Sequence, residues 1–299
     1  MRLRRSTCLC VLAALAAGAS TAAAPTTAPR RSLILFWSDS PIPSLWAVRP
    51  DGTHRHRLRL RQNCKRPRLS PDGKWIVFDG TPPGKPPLTD FDVQLVRPDG
   101  TGRHALTVSD DREIDAEWSP DGTRISYSRW RWAEGDDWRA TWIWTMRPDG
   151  TDQRPLVHGM HARWSPDGKQ IVFSAPTPGS DGDLFVINSG GTGLRRLLAT
   201  RRREWPNAWS PDGKKILFTR SLDDRNSDVY VMNADGTKVR RLTRAVRQDI
   251  GGTWSPNGAR IVFSSERLGR THLFVMRPDG THQHAITHTG ADDFDPSWY

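Results

Sequence analysis

Two turn motifs alternate along this chain, and their spacing leaves few architectures open. The first is Ser70-Pro-Asp-Gly73, Ser119-Pro-Asp-Gly122, Ser165-Pro-Asp-Gly168, Ser210-Pro-Asp-Gly213 and Ser255-Pro-Asn-Gly258. The second is Arg49-Pro-Asp-Gly52, Arg97-Pro-Asp-Gly100, Arg147-Pro-Asp-Gly150, Ser189-Gly-Gly191, Ala234-Asp-Gly236 and Arg277-Pro-Asp-Gly280. Each recurs about every 45 residues, the period of a propeller blade. Proline presets the second turn position, Asp or Asn suits the third, and glycine takes the left-handed fourth. The flanks are strand-like: Trp75-Ile-Val-Phe78 and Ile261-Val-Phe263 follow the first motif, and Val229-Tyr-Val-Met232 and Leu273-Phe-Val-Met276 precede the second. One unit is therefore four antiparallel strands a to d, with the first motif joining a to b and the second joining c to d.

Six blades need twelve such hairpins, and the chain shows eleven. The twelfth would follow Trp298, while Leu33-Ile-Leu-Phe-Trp37 reads as a strand b without a strand a. Residues 295–299 are therefore expected to supply strand a to the N-terminal strands. The fold expected is all-β: a six-bladed β-propeller of four-stranded antiparallel blades over residues 33–299, closed by the C-terminal strand joining the N-terminal blade. Closure hides the inner strands and leaves only outer edges exposed.

Trp118, Trp164, Trp209 and Trp254 before Ser-Pro-(Asp/Asn)-Gly, with Val231-Met-Asn-Ala-Asp-Gly-Thr237, resemble the WD-like repeats of the TolB-type propeller family. The resemblance covers roughly residues 33–299. It implies a propeller that docks protein partners in the cell envelope. No room is expected for the α/β domain that precedes the propeller in that family.

Residues 1–23 read as a signal peptide: a basic Met1–Arg5, an apolar Cys8–Ala17 and small residues around a cut between Ala23 and Ala24. Residues 24–32 read as a short linker. The apolar run is too short for a permanent membrane helix, and neither Cys8 nor Cys10 lies in a lipoprotein cleavage box. A periplasmic or extracellular location is expected. Maturation leaves Cys64 as the one cysteine, so no intramolecular disulfide is expected. Loss of Arg2, Arg4 and Arg5 lowers the formal charge from +11 to +8, still basic. Peripheral contact with an anionic surface fits that balance. Arginines on the outer strands, among them Arg195, Arg196, Arg240 and Arg241, also protect exposed edges. Nucleic acid is not expected as a partner, and no transmembrane segment is read.

The repeated Trp residues are expected to fill gaps between blades rather than to bind sugars, because Leu69 occupies the same slot. The turn Asp residues follow turn chemistry, and no calcium loop appears. No Gly-x-Ser-x-Gly elbow, His-Glu-x-x-His helix or phosphate-cradling loop is present, so no cofactor and no metal are expected.

Candidate site residues come from aligning the inner strands. Three positions before the motif Trp or Leu69 stand Arg66, Asp115, His161, Pro206, Gly251 and Asp295. Two positions earlier stand Cys64, Glu113, Gly159, Glu204, Asp249 and Asp293. Arg66, Glu113, Asp115, His161, Glu204, Asp249, Asp293 and Asp295 are expected to converge at one channel mouth, beside the b–c and d–a loops. Trp130, Trp132 and Trp138, set among charges in a long b–c loop, are candidate partner anchors. The expected function is a scaffold that binds an envelope protein or peptide through its loop face and channel mouth. The alternative is a lyase or hydrolase acting there on an envelope or extracellular polymer, with His161 and Asp115 or Glu113 as acid–base groups.

Overall fold

The computed structural model describes residues 32–39, 42–58, 60, 63–81, 91–130, 138–223 and 225–299. The proposed signal peptide, all but the last residue of the proposed linker, the Pro-rich stretch after Thr81 and Trp132 lie outside these residues. Residues 32–299 form one compact unit of six four-stranded antiparallel sheets.

The first blade joins β24 (Asp293–Trp298) to β1 (Ile34–Ser38), β2 (Ser44–Val48) and β3 (His56–Arg57). The second is β4 (Cys64–Leu69), β5 (Ile76–Gly80), β6 (Asp92–Val96) and β7 (His104–Ala105). The third is β8 (Arg112–Trp118), β9 (Ile125–Trp130), β10 (Trp142–Met146) and β11 (Arg154–His158). The fourth is β12 (Met160–Trp164), β13 (Gln170–Thr177), β14 (Ser180–Asn188) and β15 (Arg195–Leu198). The fifth is β16 (Glu204–Trp209), β17 (Lys215–Asp223), β18 (Asn226–Asn233) and β19 (Arg240–Arg241). The sixth is β20 (Asp249–Trp254), β21 (Ile261–Ser265), β22 (His272–Met276) and β23 (His284–Ala285).

The ring closes as the hairpin count predicts. The inner strands β4, β8, β12, β16, β20 and β24 each pack against the next, and β24 returns to β4. In the closing blade Ile34 pairs with Trp298, Leu35 with Ser297 and Ser38 with Asp293. Leu33 and Tyr299 exchange both backbone hydrogen bonds, at 2.9 and 2.8 Å. Beyond its own sheet, the strand reaches the second blade. The Leu69 N–H donates to the Tyr299 hydroxyl at 2.7 Å, and the Ser297 hydroxyl donates to the Pro67 carbonyl at 2.8 Å.

The turns hold as their residues dictate. In each first motif the Ser hydroxyl donates to the Asp or Asn side chain, as Ser70 does to Asp72 at 2.6 Å, and Asp72 accepts the Lys74 N–H at 3.1 Å. Hydrogen bonds from Ser70 and Lys74 hold the Asp72 carboxyl down at about 2. Its acceptor capacity serves the turn. Among the described residues no group of three His, Cys, Asp or Glu side chains could hold a metal ion, and no helix is long and apolar enough to cross a membrane.

The core lies in the seams between blades. Leu35, Leu45 and Ala47 of the first blade pack with Ile76, Phe78 and Val96 of the second. Ile34, Phe36 and Trp298 pack with Val262, Leu273 and Val275 of the sixth. Trp118, Trp209, Trp254 and Trp298 are buried in such seams and Trp164 is half-buried. The Trp209 indole donates to the Arg163 carbonyl of the preceding blade at 3.1 Å, which fits the gap-filling role. The outer strands β3, β7 and β19 are short, polar and largely exposed, a common protection against edge pairing.

Blades also meet through the glycines of the second motif. Gly280 has φ of 83°, and a Cβ there would lie 2.7 Å from the Leu242 carbonyl oxygen of the blade before it. Gly52 stands likewise, 2.7 Å from the carbonyl oxygen of Ile286. Substitution Gly280→Ala is therefore expected to destabilise the fold by on the order of 1–3 kcal/mol, the usual range for strained backbone. Thermal unfolding checks this: a lower Tm is expected, and an unchanged Tm would show that the blades are free to shift apart.

Candidate functional site

Every inner strand carries a register shift at the same place. It falls between Lys65 and Arg68, Ile114 and Glu117, Met160 and Arg163, Pro206 and Ala208, and Ile250 and Thr253. In β24 it lies opposite Leu35–Trp37. These are β-bulges, which bend a strand and re-aim a side chain. Arg66, Asp115, His161, Gly251 and Asp295 take the left-handed conformation there, with φ of 50°, 63°, 59°, 66° and 48°. The sixth equivalent, Pro206, has its φ fixed by its ring and cannot follow. Four non-glycine residues in this strained region around one axis mark a place where the fold spends stability on geometry.

The preceding blade holds these bulges. Asp79 at the end of β5 accepts the Asp115 N–H with both carboxylate oxygens, at 2.9 and 3.0 Å. The Ser128 hydroxyl accepts the His161 N–H at 3.3 Å, and the Thr219 hydroxyl accepts the Gly251 N–H at 3.1 Å. All three acceptors stand one residue after the aromatic residue of a strand b.

The bulged residues line a central cavity of about 280 Å³ with Arg68, Arg163 and Trp205. Its charges are tightly organised. The Arg66 guanidinium donates to Asp79 at 2.9 Å and lies 3.8 Å from Asp295. Asp115 holds the His161 Nδ1 at 2.5 Å and the Arg163 guanidinium at 3.0 Å, and Arg163 also donates to the Asn207 carbonyl at 3.0 Å. Arg68 pairs with Glu117 at 3.1 Å. Burial alone would raise the Asp115 pKa, but Arg163 and His161 outweigh it and hold the carboxyl well below its ordinary value. Burial likewise opposes the charge of Arg66, and Asp79, Asp295 and Asp115 overcome it, raising its pKa. For Asp79, burial prevails over Arg66 and its pKa is raised.

The mouth is lopsided. Its charged side comes from β24, β4, β8 and β12. On the other side β16 and β20 place Pro206 and Gly251, which carry no charge, and beyond Gly251 the nearest atom a Cβ would meet is Asp295 Oδ1 at 3.9 Å. Aromatic groups border the vacancy. Trp37 stacks on Phe294 at 4.5 Å and donates its indole N–H to Asp295 at 2.7 Å, and the Lys65 ammonium lies 4.8 Å from the Trp37 ring centre. Trp205 and Ile250 complete this wall.

Of the eight titratable residues proposed from sequence, the structure brings Arg66, Asp115, His161 and Asp295 together at this cavity. Glu113, Glu204, Asp249 and Asp293 lie elsewhere, buried in the seams between blades. The bulge breaks the two-residue alternation, so positions that share parity do not share a face. Each seam acid meets an arginine: Glu113 with Arg129 at 3.5 Å, Glu204 with Arg220 at 2.8 Å, Asp249 with Arg267 at 2.8 Å and Asp293 with Arg55 at 3.2 Å. Cys64 occupies the same position in its blade, and burial pushes its thiol up to about 12. Trp130 closes β9, half-buried, with the Arg112 guanidinium 5.9 Å from its ring centre. Trp138 opens a single 3-10 turn, Trp138–Ala140, and its side chain lies outside the described part, as does Trp132.

Alignment at one position missed Lys65, Arg68, Arg163, Trp205 and Phe294, which stand one place before or two places after it in the same strands. Trp37 and Asp79 belong to strand b, and only their place after Phe36 and Phe78 signals them.

Residues 205–299 match the family described as TolB beta propeller domain. A curated relative, the uncharacterized peptidase YuxL of Bacillus subtilis (strain 168), is 31% identical over 87 residues, 28% of this chain. The crystal structure of TolB from Acinetobacter baumannii superposes with a TM-score of 0.75 at 20% identity, covering 89% of this chain. This chain is a six-bladed β-propeller similar to that of TolB. It spans 13% of the YuxL length and 66% of the TolB chain. An oligogalacturonate lyase in complex with manganese shares the fold at a TM-score of 0.59 and 15% identity, over 86% of this chain and 74% of its own.

The seam acids give this TolB-like propeller a pH dependence. Burial pushes Glu113 up to about 8, against the Ser109 hydrogen bond and with the Asp92 carboxyl hydrogen-bonded beside it. A pKa raised on folding means stability fully present below the ordinary glutamate value and lost as pH rises through about 8. In Tm measurements from acid to mildly alkaline pH, the advantage of the wild type over Glu113→Gln is expected to shrink as pH rises. A difference that is constant with pH would show that folding does not shift the Glu113 pKa.

Proposed function

We propose that this protein is an exported, TolB-like scaffold that binds a protein or peptide segment at the loop face, with the lopsided channel mouth as its centre. The observation that carries this reading is the mouth itself: a fixed charged arc facing an uncharged side bordered by aromatic groups. A peptide matches that chemistry. Its backbone can run along Gly251 and Gly252, its side chains can stack on Trp205 and Phe294, and Lys65, Arg66 and Asp295 offer both signs of charge. Most charges are already paired, so a ligand there meets an organised surface and orders little on binding. In this reading Trp130, Trp132 and Trp138 serve as further partner anchors. Residues 1–23 as a leader, together with the likeness to TolB, support a periplasmic or extracellular location, and an envelope protein as partner.

One observation favours a second reading. His161 is held by the buried Asp115, an arrangement suited to general-base work. The described lining of the cavity has no serine or cysteine nucleophile, so this reading requires proton abstraction or activation of water on an extracellular polymer. Its test is turnover of glycan polymers that disappears in His161→Ala.

For the main reading, a photo-crosslinking residue placed at Trp205 or Phe294 in native envelopes is expected to capture one defined protein. The same residue at Thr123, on the turn face, is expected to leave that protein uncaptured. Identical products from both faces, or none from the mouth, would contradict the proposal.

A further inference from the structure

A strongly charged cleft outside the channel lies between the fifth and sixth blades, on the outer side of the ring. It has a volume of about 800 Å³, and its walls carry Arg240, Arg241, Arg244, Arg247, Arg267 and Asp279. Two of these arginines are already neutralised: Arg241 by the buried Asp228, and Arg267 by Asp249 at 2.8 Å. Arg240 reaches across the seam and donates to the Asp279 and Pro278 carbonyls at 2.8 and 3.0 Å, which fixes its position beside the Asp279 carboxylate. Arg244 and Arg247 are exposed. Opposing them are Asp279, whose carboxylate is engaged by Thr281, and Glu266, which feels the field of Arg247.

The repeat shows how this seam differs from those entering the third and closing blades. Segment Leu106–Glu113, entering the third blade, corresponds residue for residue to Leu242–Asp249. Both begin with the same two contacts: Leu106 N and Leu242 N donate to the Val93 and Val229 carbonyls, and the Thr107 and Thr243 hydroxyls accept the Val93 and Val229 N–H groups. In the earlier copy, Asp111 stands where Arg247 stands, and it binds the seam arginine Arg129 at 2.7 Å. In the copy entering the closing blade, Ile286–Asp293, the same place is held by Ala291, and Asp292, one residue on, accepts the Thr271 N–H at 2.7 Å. The place of Arg244 is taken by Val108 and His288. Between the fifth and sixth blades a guanidinium thus stands where the third blade has a carboxylate and the closing blade an alanine, with a second guanidinium three residues before it.

We propose that this cleft binds a compact multivalent oxyanion, a ligand with at least two phosphate or carboxylate groups, held by Arg244 and Arg247 with Arg240 as the fixed third cation. Guanidinium groups match both oxyanions in bidentate geometry, and charge-assisted hydrogen bonds in a partly enclosed cleft are the strong ones. Because Arg244 and Arg247 face solvent, binding weakens as salt rises. The site is independent of the channel mouth.

Calorimetric titration of the full chain at low salt with tripolyphosphate and, separately, with trigalacturonate tests this. At least one probe is expected to bind, with affinity reduced by about tenfold or more in Arg244→Glu/Arg247→Glu, as expected for loss of charge-assisted bonds. The control Arg201→Glu/Arg202→Glu changes the net charge equally in the preceding seam and is expected to bind as the wild type does. Binding of one probe alone supports the site and assigns phosphate or carboxylate as its ligand group. Absence of binding by both probes, or equal loss in the two variants, overturns the proposal. Circular dichroism of both variants confirms that the blades remain folded.

Discussion

The pairing of β24 with β1 is the constraint on which the rest of the structure depends. A propeller blade cannot bury both faces alone, so each needs a neighbour on either side. Without the strand at 293–298, the first blade lacks its inner strand and the sixth loses the Trp298 that fills its seam with Val262, Leu273 and Val275. The second blade would lose as well, since Tyr299 and Ser297 bond to Leu69 and Pro67 there. Three blades thus rely on the seven residues 293–299, and the channel exists only while all six inner strands face one axis.

From that closure the candidate site follows in physical steps. Inner strands crowded around an axis cannot all keep a regular pleat, and each takes a bulge at one height. In five of the six strands the bulge turns one residue into the left-handed region, and a polar side chain from the preceding blade accepts the N–H of three of them. Neighbouring blades therefore position each other's channel residues. The seam acids lie one step further out. There the same crowding buries Glu113, Glu204 and Asp249 deeply enough to raise their pKa values by desolvation, against their hydrogen-bonding partners.

Much of the fold was legible in the turn motifs, because Pro-Asp-Gly and its relatives specify backbone geometry locally and recur in register. The unpaired strand b at Leu33–Trp37 and the lone Trp298 were enough to foresee the closure. The site was legible only in part. Arg66, Asp115, His161 and Asp295 were found because alignment to the motif Trp fixes their height. Glu113, Glu204, Asp249 and Asp293 were expected beside them from parity alone, and parity fails across a bulge that no residue type announces: Arg, Asp, His and Gly all occupy it. Asp79, Arg163 and Trp37 escaped notice because their roles arise from contacts between blades, which have no sequence period of their own. Arg240 and Arg241 were read as part of a basic rim, but the cluster they form with Arg244 and Arg247 needed the structure to bring those side chains to one cleft.

Hydrogen–deuterium exchange over β24 and β1 tests the central claim most directly. A closed ring predicts that the amides of residues 294–298 and 34–38 are protected to the same degree as those of β20 and β21 in the sixth blade. Exchange of residues 294–298 at the rate of an unstructured tail, with β20 and β21 still protected, would contradict closure and with it the arrangement of the channel mouth.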